Sequence, residues 1–140
     1  MTNRKLRDIV KDQKPLVLAE SATVQEACRF MWGRRTGSVL VVDNQQHLIG
    51  IFTARDAVRT LVEGNNAEVT TLTCAMTRDP ITIKPDRRAI DALREMEDRG
   101  FRHLPIVEDG RIWGVVSRGD FKGMELDQLD EEDHLWECIR

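Results

Sequence analysis

The chain has 140 residues, of which 41% are hydrophobic and 32% charged, with a formal net charge of −3 and a pI near 5.6. That length makes one ordinary domain, or two small halves that must share a core because neither alone buries enough apolar surface. The charge argues against a duplex-binding surface, which needs a basic face to displace counterions from phosphate, and no apolar run approaches the roughly 18–20 residues that span a bilayer.

The N-terminus, Met1 to Lys5, leads into no signal-like apolar run, so a cytoplasmic protein with no membrane and no nucleic-acid partner is expected. Cys28, Cys74 and Cys138 are an odd number without C-x-x-C spacing, which points to reduced thiols.

In chain order, Leu6–Val10 reads as a short helical lead-in and Pro15–Leu18 as a strand. Thr23-Val24-Gln25-Glu26 has the S/T-x-x-E pattern that opens a helix, with Val24, Ala27, Cys28, Met31 and Trp32 on one face, ending between Gly33 and Gly37. Ser38–Val42 and Leu48–Thr53 are β-branched strands around a polar turn. Thr53 caps a helix running to about Glu63, broken by Gly64-Asn65-Asn66.

The order then repeats. Thr71–Met76 is a second lead-in, Ile81–Ile83 a strand, and Asp86 caps a helix to Arg99 with Ala89, Ile90, Leu93 and Met96 inward. His103–Val107 and Ile112–Ser117 pair across Asp109-Gly110, a tight-hairpin signal. Beyond Gly123, residues 125–140 carry seven acids against Arg140, with Leu126, Leu129, Leu135, Trp136 and Ile139 among them; a C-terminal helix is predicted.

The two halves align on each other at an offset of 65 residues, dropping to 64 after the first hairpin, as one turn deletion requires. Lys14-Pro15 meets Asp79-Pro80, Ala27 meets Ala92, and Met31 meets Met96. Each half ends on one pattern, G-x-x-[S/T]-x-x-D: Gly50 to Asp56, and Gly114 to Asp120.

That pattern has a chemical reading. A helix N-terminus attracts phosphate; the Thr53 and Ser117 hydroxyls can donate to it. Asp56 and Asp120, three residues on, can accept from a ribose diol. Ile51, Phe52, Val115 and Val116 lie near enough to wall a base. The same spacing also makes a capping box, in which hydroxyl and carboxylate satisfy their own backbone. Residue type alone leaves both readings open.

The tandem units, the two G-x-x-[S/T]-x-x-D endings and Arg102-His103-Leu104-Pro105-Ile106-Val107 before the second hairpin resemble a pair of cystathionine β-synthase (CBS) domains, a Bateman module. The resemblance covers residues 4–123 and implies a mixed α+β fold of tandem β-α-β-β-α repeats, 4–66 and 67–123, packed about a pseudo-twofold axis, with an acidic tail over 124–140. It implies two clefts between the repeats that hold AMP, ADP, ATP, NAD or S-adenosylmethionine as regulatory ligands, and a homodimer. Carried over residue by residue, it gives Thr53 and Asp56 to one site, and Ser117 and Asp120 to the other. Arg102 and His103 match a position that often touches ligand phosphate, and Arg118 beside Ser117 counts among the ligand-binding residues. The backbone around Thr77, Pro80 and Ile81 matches the edge where the base lies. Gly37-Ser38 replaces Arg102-His103 in the first repeat, so Ser38 lacks a cation beside it, which Arg55 or Arg34 could supply. The second site has the fuller set.

His47 reads as a solvated turn residue, and the acids around His134 point round a helix rather than converge on a metal. Cys28 and Cys74 fall on apolar faces and read as core. Trp113 reads as packing, with a base wall as its second reading. No nucleophile stands with a base at readable spacing. The expectation is a non-catalytic sensor of adenosyl nucleotides that signals to an unidentified protein target, with a structural dimerisation module as the alternative.

Overall fold

The computed structural model describes residues 4–121, 123 and 126. The expected C-terminal helix lies, Leu126 apart, outside the described residues. The fold is mixed α/β and divides into two compact units: Lys14–Pro80, and a second that joins the residues before Lys14 to those after Pro80.

The Lys14–Pro80 unit is built on a four-stranded sheet in the order β1-β2-β3-β4, where β1 is Val17–Ala19, β2 Ser38–Val42, β3 Leu48–Thr53 and β4 Thr77–Arg78. β1 runs parallel to β2, and the other pairs are antiparallel. Helix α2, Val24–Arg34, follows β1, and α3, Ala54–Val62, follows β3. Thr23 caps α2 by accepting the Glu26 amide at 3.2 Å. Leu16, Val24, Ala27, Met31, Val39, Val41 and Phe52 close over the sheet together with Leu72 and Ala75 of α4, Leu72–Ala75.

In the other unit, β5 (His103–Glu108) and β6 (Arg111–Ser117) form a hairpin, and Asp109 and Gly110 take the positive φ values that its tight turn requires. Helix α5, Ala89–Arg99, lies against it with Ile90, Leu93 and Met96 inward; α1, Leu6–Val10, adds Leu6 and Val10 to the same core. The strand expected over Ile81–Ile83 is a single bridge, Ile83 to Ile106. Only Ile83 turns its side chain inward, while Ile81 and Thr82 are exposed. The helix expected from Asp86 starts at Ala89. Its capping carboxylate is Asp91, which accepts the Arg88 amide at 3.1 Å.

Each lead-in helix is therefore built into the unit of the other repeat, with matching hydrogen bonds. The Leu6 amide donates to the Arg87 carbonyl and the Leu72 amide to that of Ala22; Arg7 donates to Pro85 as Thr73 does to Glu20. Arg87 and Pro85 stand 65 residues beyond Ala22 and Glu20, so a common contact has been kept with its two sides exchanged along the chain.

Three side chains depart from the expected core. Trp32 is 89% exposed rather than inward, because Val24, Ala27 and Met31 already fill the narrow buried stripe of α2. Cys74 is exposed, and Cys28 is only partly buried.

Candidate functional site

The candidate ligand residues fall into two sets, one in each unit. Ser38, Thr53, Arg55, Asp56, Thr77 and Pro80 belong to the Lys14–Pro80 unit; Ile81, Arg102, His103, Ser117, Arg118 and Asp120 belong to the other. In the first set, strand register places buried Ser38 opposite Thr53 and Thr77 opposite Ile51. In the second, His103 stands opposite Ser117.

Both motif endings adopt the capping-box geometry. The Thr53 amide donates to Asp56 Oδ2 at 2.9 Å and its hydroxyl to the same oxygen at 3.2 Å. The corresponding bonds from Ser117 to Asp120 Oδ2 are 2.7 and 3.3 Å. Each hydroxyl thus spends its one proton on its own carboxylate and meets a ligand as an acceptor. What remains for a diol is the second carboxylate oxygen. On Asp56, a buried residue, that oxygen lies 3.5 Å from the Arg59 guanidinium. Asp120 is only half-buried, and the Arg4 guanidinium binds its backbone carbonyl instead.

The elements beyond the two caps differ. Thr53 heads the nine-residue α3. Ser117 heads a three-residue 3-10 turn, Arg118–Asp120.

His103 is mostly buried, and that burial pushes its imidazole below the ordinary value; the Asp120 carboxylate partly restores it and Arg102 lowers it again. Those charges show that His103, Arg102 and Asp120 share one electrostatic neighbourhood. A serine, a histidine and an aspartate therefore meet here, yet Ser117 gives its proton to Asp120, so His103 is not drawn up as its base.

Several expected neighbours are engaged elsewhere. Phe52 and Val116 point into their units' cores and cannot wall a base; Ile51 is buried on the opposite face of β3 from Phe52, and Val115 is the partly open one. Arg118 pairs with Glu97 at 2.6 Å. Arg34 binds the Lys14 carbonyl, and Arg55 within the first motif is exposed, while Arg59 is the cation that faces Asp56. Trp113 packs on its unit's core with Arg111 5.0 Å and Arg7 6.0 Å from its ring centroid. His47 is exposed and bonded within its own turn to Asp43. Among the described residues, no three His, Cys, Asp or Glu gather to hold a metal, and no helix is long and apolar enough to cross a membrane.

The motif glycines have a role that sequence reasoning assigned to a ligand. A Cβ on Gly50 would run into Met76 Sδ and meet the Thr77 carbonyl at 3.0 Å; on Gly114 it would meet Gln13 Oε1 at 2.5 Å and Val10 Cβ at 2.9 Å. What approaches each glycine is the lead-in segment of the other repeat. Gln13 itself went unnoticed in the sequence, although it stands 65 residues before Arg78 of β4.

The CBS domain family model matches residues 6–63 and 69–124. The CBS domain-containing protein CBSCBSPB2 of Arabidopsis thaliana is 44% identical over 104 residues, 74% of this chain and 19% of that protein, so the chain spans about a fifth of that relative. A 17.7 kDa protein of Acidianus ambivalens is 34% identical over 116 residues, 81% of this chain and 69% of its own length. Among solved structures, the CBS domain pair of protein MJ0100, in complex with 5′-methylthioadenosine and S-adenosyl-L-methionine, is 26% identical with a TM-score of 0.73, covering 83% of this chain and 94% of that one. The CBS domain protein PAE2072 from Pyrobaculum aerophilum, complexed with AMP, shares the fold at 21% identity and a TM-score of 0.82, covering 91% and 98%.

Proposed function

The chain belongs to the CBS domain family, and from that membership we propose that it is a non-catalytic regulatory module that takes adenosyl ligands and reports them to a protein partner. The observation that carries the reading is the adenosyl chemistry common to both ligands of the MJ0100 pair, whose sequence is 26% identical to this one. AMP, ADP, ATP, NAD and S-adenosylmethionine all offer that moiety. The second repeat is the better site: Arg102 supplies a cation, Asp120 keeps one carboxylate oxygen outside its cap, and both charges act on His103. In the first repeat, Arg59 already faces the corresponding oxygen of Asp56. The module acts in the cytoplasm as a homodimer, and ligand shifts its partner only by preferring one of two arrangements.

A structural dimerisation module is the second reading, favoured by the internal satisfaction of both hydroxyls and one oxygen of each aspartate. Isothermal titration with each of the five ligands separates the two. The sensor reading expects heat from at least one, weakened in Asp120→Ala and in Arg102→Ala more than in Asp56→Ala. No heat at millimolar ligand would leave the dimerisation reading.

A further inference from the structure

We propose that the groove between α2 and α3 of the Lys14–Pro80 unit docks an acidic amphipathic helix of another protein, with that helix's apolar stripe in the groove and its carboxylates on the arginines around it. The groove is open and encloses about 930 Å³; Cys28, Trp32 and Arg35 line it from α2 and its C-terminal cap, at i, i+4 and i+7, and Ala54 and Ala57 line it from α3. Val58 and Leu61 continue the α3 stripe by one turn. Trp32 is 89% exposed and Leu61 79%, so both leave large apolar side chains in water.

Three features of this face serve nothing within its own unit. Its apolar side chains are peculiar to the first repeat: Trp32, Val58 and Leu61 align with Glu97, Lys122 and Glu125 of the second, and Glu97 is held in an ion pair by Arg118. Gly33, in the last turn of α2, lines the groove, yet a Cβ there would meet no atom within 4 Å. A helix favours alanine over glycine at such a place, and the bare backbone leaves room for a neighbour from outside the chain. Arg35 ends α2 at a φ of 54°, where Gly100 holds the equivalent place in the second repeat. Backbone in that region is kept for a side chain with work to do, and here the side chain is a guanidinium on the groove. An apolar patch of this kind marks a contact surface, and a groove between two helices suits a third.

Charge selects the occupant. Helix α2 with its cap, and α3, carry five arginines against Glu26 and Asp56, and Asp56 is buried in its own capping box. Arg29 and Arg35 are exposed and, among the described residues, enter no ion pair. Helix α5 reverses the balance, with four acids against Arg94 and Arg99. A second copy of the α2–α3 face brings like charge, which disfavours that pairing; the exposed Glu97 and Asp98 of a second copy's α5 bring acid without an apolar stripe. An acidic amphipathic helix supplies both. It is the chemistry of the protein partner that the sensor reading requires, and the proposal rests on that reading for its purpose alone, since none of the candidate nucleotide residues lines the groove.

The test is an NMR titration of the intact isotope-labelled chain with a stapled helical peptide that carries leucine along one stripe and glutamate elsewhere. Two control peptides replace glutamate by lysine, or leucine by serine. Amide shifts should centre on Gly33, Arg35, Ala57 and Leu61, with affinity several-fold weaker for either control and weaker in higher salt. Leu61→Glu and Arg35→Glu should each weaken binding several-fold. Equal affinity for the lysine peptide, shifts centred elsewhere, or no shifts at millimolar peptide would overturn the proposal. Shifts of the same amides on concentrating the chain alone would also overturn it, by assigning the face to a second copy. The three peptides on the wild-type chain decide even if a variant unfolds. No nucleotide is present, so failure here and failure of the nucleotide titration are separate results.

Discussion

The side-chain amide of Gln13 pairs with both backbone groups of Val115, accepting its N–H at 2.7 Å and donating to its carbonyl at 2.9 Å. Along the edge of β3 the same kind of position is filled by a real strand, β4, with Thr77 opposite Ile51 and Arg78 opposite Gly50. One side chain thus stands in for a strand. Gln13→Ala leaves a partly buried donor and acceptor without partners and should cost about 1–3 kcal/mol. Urea denaturation checks it; a midpoint equal to wild type would mean that water replaces Gln13 at no cost.

Gly114→Ala should be at least as damaging, since its new Cβ meets both Gln13 Oε1 and Val10 Cβ. Overpacking of this sort costs about 1–3 kcal/mol. Combining Gly114→Ala with Gln13→Ala removes one of the two clashes, so the double variant should lose less than the sum of the singles. Strict additivity in denaturant melts would show that Val10 alone sets the constraint.

Arg35 ends α2 with φ of 54°, whereas Gly100 ends α5 with φ of 75° in the equivalent place. A side chain in that conformation costs about 1–2 kcal/mol, partly offset by the greater freedom of glycine in the unfolded chain. Arg35→Gly should therefore raise stability by about 0.5–1 kcal/mol. A destabilised Arg35→Gly would show that the arginine makes native contacts worth more than its strain.

Burial holds His103 below its ordinary value near 6.5. The unfolded chain then binds the imidazole proton first as pH falls, so this group's contribution to stability is complete above about pH 6.5 and declines below it, levelling once the folded value is passed. Thermal melts at pH 7.5 and 5.5 should show a smaller acid loss for His103→Gln than for wild type. An identical loss in both would remove His103 as a source of the pH dependence.

Asp120→Asn keeps a side-chain acceptor for the Ser117 amide, while Asp120→Ala removes it. The alanine variant should lose about 1 kcal/mol of stability as a cap and the asparagine variant less, yet both lose the carboxylate on which the diol reading rests. Equal nucleotide affinity for wild type and both variants, measured by titration, would remove Asp120 from the ligand site.

Both strands of each hairpin, the two long helices and the paired motif endings were legible along the chain, because periodicity, capping residues and turn glycines are local signals. The duplication was legible too, since matching residues recur at a fixed offset. Tertiary structure decided what each local signal serves. It turned the motif glycines toward the lead-in segments of the opposite repeats and gave Gln13 the work of a strand. It also left Trp32 outside, although its spacing matches the inward face. These outcomes depend on contacts between residues as far apart as Gln13 and Val115, and no window of sequence contains both partners of such a contact.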